Sequence, residues 1–314
     1  MWKRSSGANK LRSLLLVAVL ILGLSACGKA SGSPVEAAYT DALGRQVKLP
    51  ENPRRVAALI GSFADVWCLA GGELCAAAED AWEDFGLELP GALNIGGAHS
   101  PNPELILAAD PDLVLASAST KSNVELLPTL EAAGITVVFF DVDCFEDYLA
   151  MLEVCTGITG RRDLYEQNGL ALEERIRQVQ EETALTEETE TVLLLRASSG
   201  SVKAKGSQGT VLGQMLADLG CRNIADSDTV LLENLSVESV IAREPYRIFV
   251  VTMGSDTQGA YDNLRKMMEE NPAWGELEAV REDRLHIMDK QLFNLKPNAR
   301  WAEAYETLSA ILGS

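Results

Sequence analysis

Short runs of apolar residues, separated by helical or loop segments, recur along the first half of the chain. They cover residues 55–60, 76–78, 113–116 and 137–140. Strands that alternate with helices at this spacing are typical of a mostly parallel sheet with helices on its faces. The pattern therefore predicts a first α/β lobe, which a small hairpin at residues 39–47 precedes.

A change of pattern at residues 161–183 predicts a long polar helix. Its apolar residues fall on one stripe and no Pro interrupts it; the stripe is formed by Leu164, Leu172, Ile176 and Val179. A helix of this length spans on the order of 30 Å, the width of a small domain. We therefore expect a rigid strut between two lobes, although Gly169 weakens the helix by ~1 kcal/mol relative to Ala.

Apolar runs resume after this helix and predict a second lobe, with strands expected at residues 191–195, 248–252 and 285–288 and a closing helix at 300–312. The predicted fold class is α/β, with two lobes that have mostly parallel central sheets and flanking helices, joined by a single long interlobe helix. The expected boundaries are 1–26 for a signal peptide, 27–38 for a flexible tether, 39–158 for the N-terminal lobe, 159–184 for the linking helix and 185–314 for the C-terminal lobe.

Two stretches, one in each lobe, share the same design. Asn102, Glu104 and Pro111 precede one apolar strand, and Ser236, Glu238 and Pro245 precede another at the same spacing. Asn and Ser cap a helix, and the helix should end before the Pro, so each stretch predicts a short helix that leads into a strand. Complementation of the helix dipole accounts for an acidic residue in the first turn. It does not account for one at the same place in both halves.

The N-terminus has the features of an export signal. Four basic residues precede an apolar run at residues 14–24, which is shorter than the ~17–25 residues that span a bilayer. The small residues before Cys27 resemble a bacterial lipobox, in which the Cys carries lipid. We expect two acyl chains on Cys27 to anchor the protein at the outer face of the cytoplasmic membrane, on a Gram-positive surface or in a Gram-negative periplasm.

The formal net charge is −19, and removal of residues 1–26 lowers it to −23 because that segment holds four basic and no acidic residues. Nucleic acid is therefore excluded as a partner, since phosphate binding needs basic patches. Residues 196–217 contain no acid but include Arg196, Lys203 and Lys205. A basic wall of this kind would attract an anionic chelate such as a carboxylate or catecholate ferric siderophore. A solvated hairpin is the alternative interpretation.

Motifs for bond chemistry are absent from the sequence. It has no phosphate-binding loop, dinucleotide-binding turn or nucleophile elbow. Two imidazoles, His99 and His286, are too few for a bare Zn²⁺ or Mn²⁺ site. The five cysteines after Cys27 lack paired spacing, so most are interpreted as small buried hydrophobes, and a Cys68–Cys75 bridge stays open. We expect neither enzyme activity nor a resident cofactor or metal.

Two further motifs are the Asn-Pro-Ala-Trp-Gly-Glu-Leu run within residues 271–280 and the Lys-Pro-Asn-Ala-Arg run at residues 296–300. Together with the lipobox, the two lobes, the linking helix and the paired Glu-bearing helices, they resemble the substrate-binding proteins of ABC importers for ferric siderophores, cobalamin and haem. The resemblance covers essentially the whole mature chain. It implies that Glu104 and Glu238, one on each lobe, dock onto arginines of a permease dimer, because charge complementarity fixes their register.

The resemblance also implies a ligand between the lobes, at the carboxyl ends of the parallel strands. This rule selects nine candidate ligand-binding residues: Ser62, Phe63, Trp82, His99, Ser100, Asp143, Arg196, Met253 and Phe293.

The expected function is capture of a metal chelate, with a ferric siderophore favoured, and its delivery to the permease. Cobalamin or haem in the same role is the alternative, which His99 as an axial ligand would favour. A surface enzyme that processes chelates on this fold is a remote alternative, because the nucleophile and metal motifs are missing.

Overall fold

The computed structural model describes residues 38–183 and 190–313. Cys27, the predicted signal peptide and most of the predicted tether lie outside the described residues. The first lobe has strands and helices in alternation, as the apolar runs predict: β1 (Tyr39–Thr40), β2 (Gln46–Val47), β3 (Val56–Ala58), α1 (Gly61–Leu69), β4 (Leu74–Ala77), α2 (Asp80–Glu83), β5 (Leu93–Asn94), α3 (Pro103–Ala108), β6 (Leu113–Ser117), α4 (Lys121–Ala132), β7 (Thr136–Phe140) and α5 (Phe145–Thr159).

A helical segment then runs from Arg162 to Thr183, as predicted. It consists of α6 (Arg162–Tyr165), a π-helical stretch (Glu166–Leu170) and α7 (Ala171–Thr183). Gly169 lies in the π-helical stretch, and a Cβ atom there would approach Leu149 Cδ1 of α5 to 2.7 Å. The glycine that weakens the helix in isolation therefore permits its close packing against the first lobe.

The second lobe follows the same alternation: β8 (Thr191–Ala197), β9 (Val202–Lys205), α8 (Val211–Asp218), β10 (Arg222–Asn223), α9 (Thr229–Glu233), α10 (Val237–Ile241), β11 (Arg247–Thr252), α11 (Thr257–Glu270), a 3₁₀ turn (Pro272–Glu276), α12 (Glu278–Arg281), β12 (Leu285–Ile287), α13 (Lys290–Phe293), a second 3₁₀ turn (Asn298–Arg300) and α14 (Trp301–Leu312). The helix predicted at the last segment begins one residue later than expected.

Both central sheets are mostly parallel and reverse their strand order near the middle. The first has the order β5-β4-β3-β6-β7, so the chain order reverses between β3 and β6. The second has the order β10-β8-β11-β12, with β9 added antiparallel to β8, and reverses between β8 and β11. Such a reversal opens a crevice at the carboxyl ends of the strands, where ligands of α/β proteins bind.

One apolar core connects the two sheets. On β3, Val56 and Ala58 face this shared core while Ala57 faces a separate outer core, as the two-residue period of a strand requires. Val192 and Leu194 of β8 belong to the same shared core. Helices α5, α7 and α14 fill the space between the sheets, so the lobes share this core in addition to the outer core that each has on its own.

Trp301 of α14 is the largest fully buried side chain of the shared core. Its ring centroid lies 6.1 Å from that of Phe145 and 6.5 Å from that of Tyr148, both on α5. Tyr305 of the same helix donates a 2.6 Å hydrogen bond to Asp218 in the second lobe. Helix α14 therefore joins the first lobe to the second.

The structure leaves all five cysteines within the described residues free, so the possible Cys68–Cys75 bridge is absent. Cys155 is fully buried, whereas Cys68, Cys75, Cys144 and Cys221 are partly exposed. Among the helices described, none combines the length and the apolar character needed to cross a bilayer.

Trp301→Ala should destabilise the protein by about 3–5 kcal/mol, because it leaves a cavity where the two lobes meet. Urea unfolding followed by circular dichroism measures this loss. Val230→Ala, at a side chain that is 62% exposed, is the control and should change stability by less than about 0.5 kcal/mol. A similar small loss for Trp301→Ala would show that the shared core does not hold the lobes together.

Candidate ligand-binding cleft

Loops at the carboxyl ends of the two sheets are in contact, and we take the region beside them as the candidate ligand-binding cleft. An ion pair joins the loops, with Lys290 Nζ 2.8 Å from Asp84 Oδ1. Lys290 follows β12 of the second sheet and Asp84 follows α2 of the first, and Gln291 donates a further bond to the Asp84 carbonyl at 3.0 Å. These contacts bring loops from the same end of both sheets together, as the strand-order rule predicts.

Asn298 forms a second bridge between the lobes. Its side chain is fully buried, and Nδ2 donates to the Ser62 carbonyl at 2.9 Å and to Asp65 Oδ2 at 2.8 Å. Its backbone is left-handed, with φ 49°. An asparagine tolerates this conformation better than most residues, so the side chain can reach across to α1.

Arg196 lies at the carboxyl end of β8, beside the strand-order reversal of the second sheet. It pairs with Lys203 across the β8–β9 ladder, so their side chains share a face of the sheet. Arg196 is half-buried, and within the described part of the chain its buried Nε atom has no hydrogen-bond partner. Burial lowers the pKa of the Arg196 guanidinium, and Asp143 partly opposes that shift.

Two lysines accompany this guanidinium. Lys205 lies two residues beyond Lys203 on the same face of β9, and its pKa is lowered by burial and then by Arg196 and Lys203. Lys296, between α13 and the second 3₁₀ turn, also has its pKa lowered by burial, while Asp143 and Asp141 act in the opposite direction. Lys296 was not among the residues predicted from the sequence, because its place in the cleft depends on the path of a loop.

Asp80 is a half-buried acid of the first lobe that sequence reasoning also missed. Its Oδ2 accepts a hydrogen bond from the Gly61 N–H at 2.8 Å, while the buried Oδ1 has no partner within the described residues. Burial raises the pKa of Asp80, and the nearby His99 opposes the shift. Gly61 is required here, since a Cβ would lie 2.6 Å from the Ala81 nitrogen. The close contact of β3 and β4 loops therefore positions this carboxylate.

Five other predicted residues lie in loops or helices that follow the carboxyl ends of strands, and their contact with a ligand stays a prediction. His99 and Ser100 are exposed in the loop that follows β5, and Trp82 is half-buried on α2. Asp143 is half-buried after β7, where burial raises the pKa of its carboxyl group and Lys296 lowers it. Met253 is 42% exposed after β11, and Ile287 at the end of β12, which sequence reasoning did not select, is 46% exposed.

Three predicted residues are buried instead. Phe63 is 1% exposed and packs edge-on against Phe140, with ring centroids 6.0 Å apart, and Phe293 is 2% exposed in the same core. The Ser62 side chain is buried, and its carbonyl is occupied by Asn298. Ligand contact by these three residues stays a prediction. They are buried because the strand-end rule fixes where a helix begins, not which way its residues point.

His286, the second imidazole, is structural. It stacks on Phe249 with ring centroids 5.4 Å apart, and burial lowers its pKa. Within the described residues, no group of three or more His, Cys, Asp and Glu side chains is arranged to hold a metal ion. The chemistry of the cleft is therefore that of fixed charges, one aromatic side chain and exposed apolar side chains.

The two Glu-bearing helices have the predicted caps. Asn102 Oδ1 accepts from the Glu104 N–H at 2.9 Å, and Ser236 Oγ accepts from the Ser239 N–H at 3.3 Å. Ser236 also donates to Glu238 Oε2 at 2.8 Å, and the pKa of Glu238 is lowered by a bond to its own backbone N–H and by Ser236. Both carboxylates are exposed. Each helix lies between one strand of its sheet and the next in the chain, so chain order puts both acids toward the carboxyl ends of the strands.

This arrangement of two parallel α/β sheets around one cleft defines a two-lobed binding protein. The chain belongs to the periplasmic binding protein family, whose model matches residues 56–292. Two relatives from Bacillus subtilis are similar over nearly their whole length. An iron-uptake system-binding protein is 24% identical over 89% of this chain and 90% of its own. An uncharacterized ABC transporter substrate-binding lipoprotein, YvrC, is 23% identical over 95% and 94%.

Solved structures share the fold. IsdE of Staphylococcus aureus complexed with heme has a TM-score of 0.69 at 15% identity, over 83% of this chain and 99% of that chain. SirA of the same organism complexed with staphyloferrin B has a TM-score of 0.68 at 18% identity, over 88% and 98%. The vitamin B12 binding protein BtuF of Vibrio cholerae has a TM-score of 0.68 at 18% identity, over 84% and 98%.

Asp80→Asn should remove the pH-dependent free-energy cost of ionising the Asp80 carboxyl group in the folded protein. Because burial raises the pKa of Asp80 in the folded protein, its favourable contribution is present below the ordinary Asp pKa of about 3.9 and is lost as the pH rises through the folded value. Asparagine keeps an acceptor for the Gly61 N–H and cannot ionise. The free energy of unfolding of the variant, relative to the parent, should therefore increase between about pH 4 and about pH 7.

Urea denaturation at a series of pH values measures this difference. Glu51→Gln, at an exposed position, is the control for the loss of one carboxylate at the surface. A difference between Asp80→Asn and the parent that stays constant across the pH range would contradict the assignment of a destabilised carboxylate to the cleft.

Proposed function

We propose that this protein captures an anionic metal chelate, a ferric siderophore in the first instance, and delivers it to an ABC importer. The observation that supports this most directly is the half-buried Arg196, whose Nε has no partner within the described residues. Lys203, Lys205 and Lys296 surround it in a chain whose formal net charge is −19. An acidic protein that concentrates cations in its cleft is suited to an anionic ligand.

The geometry favours oxygen-rich anions. Arginine offers a planar set of N–H donors that matches carboxylate or catecholate oxygens. Burial makes such charge-assisted bonds stronger than they are in water. The exposed Met253 and Ile287 and the half-buried Trp82 supply apolar contacts for the organic part of a chelate. A cleft with few polar anchors and apolar walls is the usual form of a small-molecule site.

The relatives support the same class of cargo. One is named an iron-uptake system-binding protein, and two proteins of the same fold were solved with staphyloferrin B and with heme. We propose a chelate cargo for this chain as well, because of its own basic residues. The proposed role requires no covalent chemistry, which agrees with the membership of this chain in a family of periplasmic binding proteins.

Haem or cobalamin is the second candidate cargo, and one observation favours it. His99 is exposed in the loop after β5, where its imidazole is available as an axial ligand to a metal centre. The basic wall around Arg196 also suits the carboxylates of haem. A Soret or corrin absorption shift on mixing, lost in His99→Ala, would distinguish this cargo from a siderophore.

Export and anchoring complete the proposal. The basic residues, short apolar run and lipobox at the N-terminus lead us to assign lipid attachment to Cys27 and a location on the outer face of the cytoplasmic membrane. There the protein would meet its permease, and Glu104 and Glu238 would contact basic residues on the two halves of the permease dimer.

Arg196→Ala should weaken binding of a carboxylate or catecholate ferric siderophore by at least about tenfold, because the ligand loses a charge-assisted fork. Tryptophan quenching measures the affinity. The control is Arg222→Ala, at an exposed residue of β10 near the opposite end of the strands, which should leave the affinity unchanged. Equal affinities for Arg196→Ala and the parent would reject the role of this guanidinium.

The double reversal Glu104→Arg/Glu238→Arg should abolish chelate uptake while it leaves chelate affinity intact, because both side chains are exposed and would then repel a basic permease surface. Uptake of ⁵⁵Fe-labelled chelate into cells measures the effect. The matched control reverses two other exposed acids, Glu51 and Glu233, one in each lobe. Normal uptake by the Glu104/Glu238 variant would overturn the docking assignment.

A further inference from the structure

Both Glu-bearing units expose an aliphatic side chain one helical turn after the glutamate. Leu107 of α3 is 39% exposed and Ile241 of α10 is 36% exposed. Residues three apart lie on the same face of a helix, with Cβ atoms roughly 5–6 Å apart. Each glutamate therefore has an aliphatic neighbour on the surface, Leu107 beside Glu104 and Ile241 beside Glu238.

The two units hold these pairs in the same orientation. The residue before each exposed aliphatic, Ile106 or Val240, is fully buried in the outer core of its own lobe. The residue three positions after each exposed aliphatic residue, Asp110 or Glu244, has a left-handed backbone conformation, with φ of 47° and 40°. A buried proline follows in both cases. Both units thus present the acid and the aliphatic residue to solvent in the same order and with the same backbone.

Single exposed aliphatic residues are ordinary on a protein surface. These two differ because they occupy matching positions in the two repeat units, one on each lobe. Neither one packs into the apolar core of its lobe, as judged from the core clusters of the described residues. The stability of the folded chain therefore gives no reason for an aliphatic residue at this place in both lobes.

We propose that Leu107 and Ile241 are docking residues, which bury their side chains against the permease dimer beside the contacts of Glu104 and Glu238. The inference rests on the proposed function and adds an apolar component to it. A dimer with two-fold symmetry presents the same patch twice, and this chain offers two matching acid–aliphatic pairs. The partner surface that fits is a basic residue next to an apolar hollow, present once on each permease subunit.

The charge of each unit selects this partner over a membrane. Asp110 and Glu244 add a second exposed acid to each unit, so an anionic lipid surface would repel both. A cationic protein surface would attract them, which guides encounter, while the aliphatic contact slows dissociation. The electrostatic and the aliphatic contributions to permease binding should therefore differ in their response to salt.

Leu107→Gln/Ile241→Gln is the test, since glutamine is a good helix former of similar length. We expect the double variant to weaken binding to the permease dimer by about tenfold or more, through the loss of two buried aliphatic contacts. Binding is measured by interferometry with neutral phosphatidylcholine nanodiscs that hold the permease dimer with which this protein supports chelate uptake. The melting temperature and the chelate affinity should stay at the parent values.

The matched control is Leu43→Gln/Val230→Gln, which removes one exposed aliphatic residue from each lobe outside the two units and should leave permease binding unchanged. The fractional loss in Leu107→Gln/Ile241→Gln should be the same at low and high salt, whereas the loss in Glu104→Arg/Glu238→Arg should shrink as salt rises.

Several results would overturn the inference. If charge reversal abolishes permease binding and the glutamine pair does not weaken it, the inference fails and the proposed function stands. If neither variant weakens binding, the inference and the docking assignment of Glu104 and Glu238 both fail, while chelate capture is decided separately by the affinity of Arg196→Ala. If the glutamine pair alters only self-association in sedimentation, the surface serves a second copy of the chain and the inference is wrong. Should the double variant unfold, Leu107→Ala and Ile241→Ala decide the question separately.

Discussion

The apolar core shared by the two sheets is the constraint on which the rest of the structure depends. Trp301, Phe145 and Tyr148 meet where α14 and α5 pack between the lobes. Each such aromatic side chain buries roughly 150–250 Å², worth several kcal/mol at about 25 cal/mol per Å². Opening the lobes widely would expose this surface. The core therefore limits the lobes to small relative movements and fixes the separation of Glu104 from Glu238.

Because the shared core limits the movement of the lobes, the cleft can hold partly buried cations that would be unfavourable elsewhere in the chain. Arg196 and Lys296 lie partly buried, and burial lowers the pKa of both. Asp143 interacts electrostatically with both cations, but neither of them forms an ion pair within 4.0 Å in the described residues. An anionic ligand would supply the missing partner and recover the cost of burying them. Because the positions are already fixed, little of the binding free energy would be lost in ordering the site.

Local signals in the sequence predicted a large part of this fold. The caps and prolines of the two repeat units fixed α3, α10 and the strands that follow them, and the acid-free stretch identified Arg196, Lys203 and Lys205 as neighbours. Residues whose roles arise from contacts across the lobes could not be found in this way. Lys290 meets Asp84 and Asn298 meets Ser62 over more than two hundred positions of sequence. Lys296 was missed because its place depends on the path of a loop, and Asp80 because its contact with Gly61 forms only when the loops after β3 and β4 pack together. Phe63 and Phe293 are buried because strand ends do not determine side-chain direction.

Titration of the purified protein by tryptophan fluorescence against carboxylate and catecholate ferric siderophores, haem and cobalamin tests the central claim most directly. The account predicts saturable binding of one anionic chelate per protein molecule, with affinity that falls as salt rises and with no binding of a neutral iron chelate of similar size. Equal affinity for neutral and anionic chelates, or no saturable binding of any of them, would contradict it.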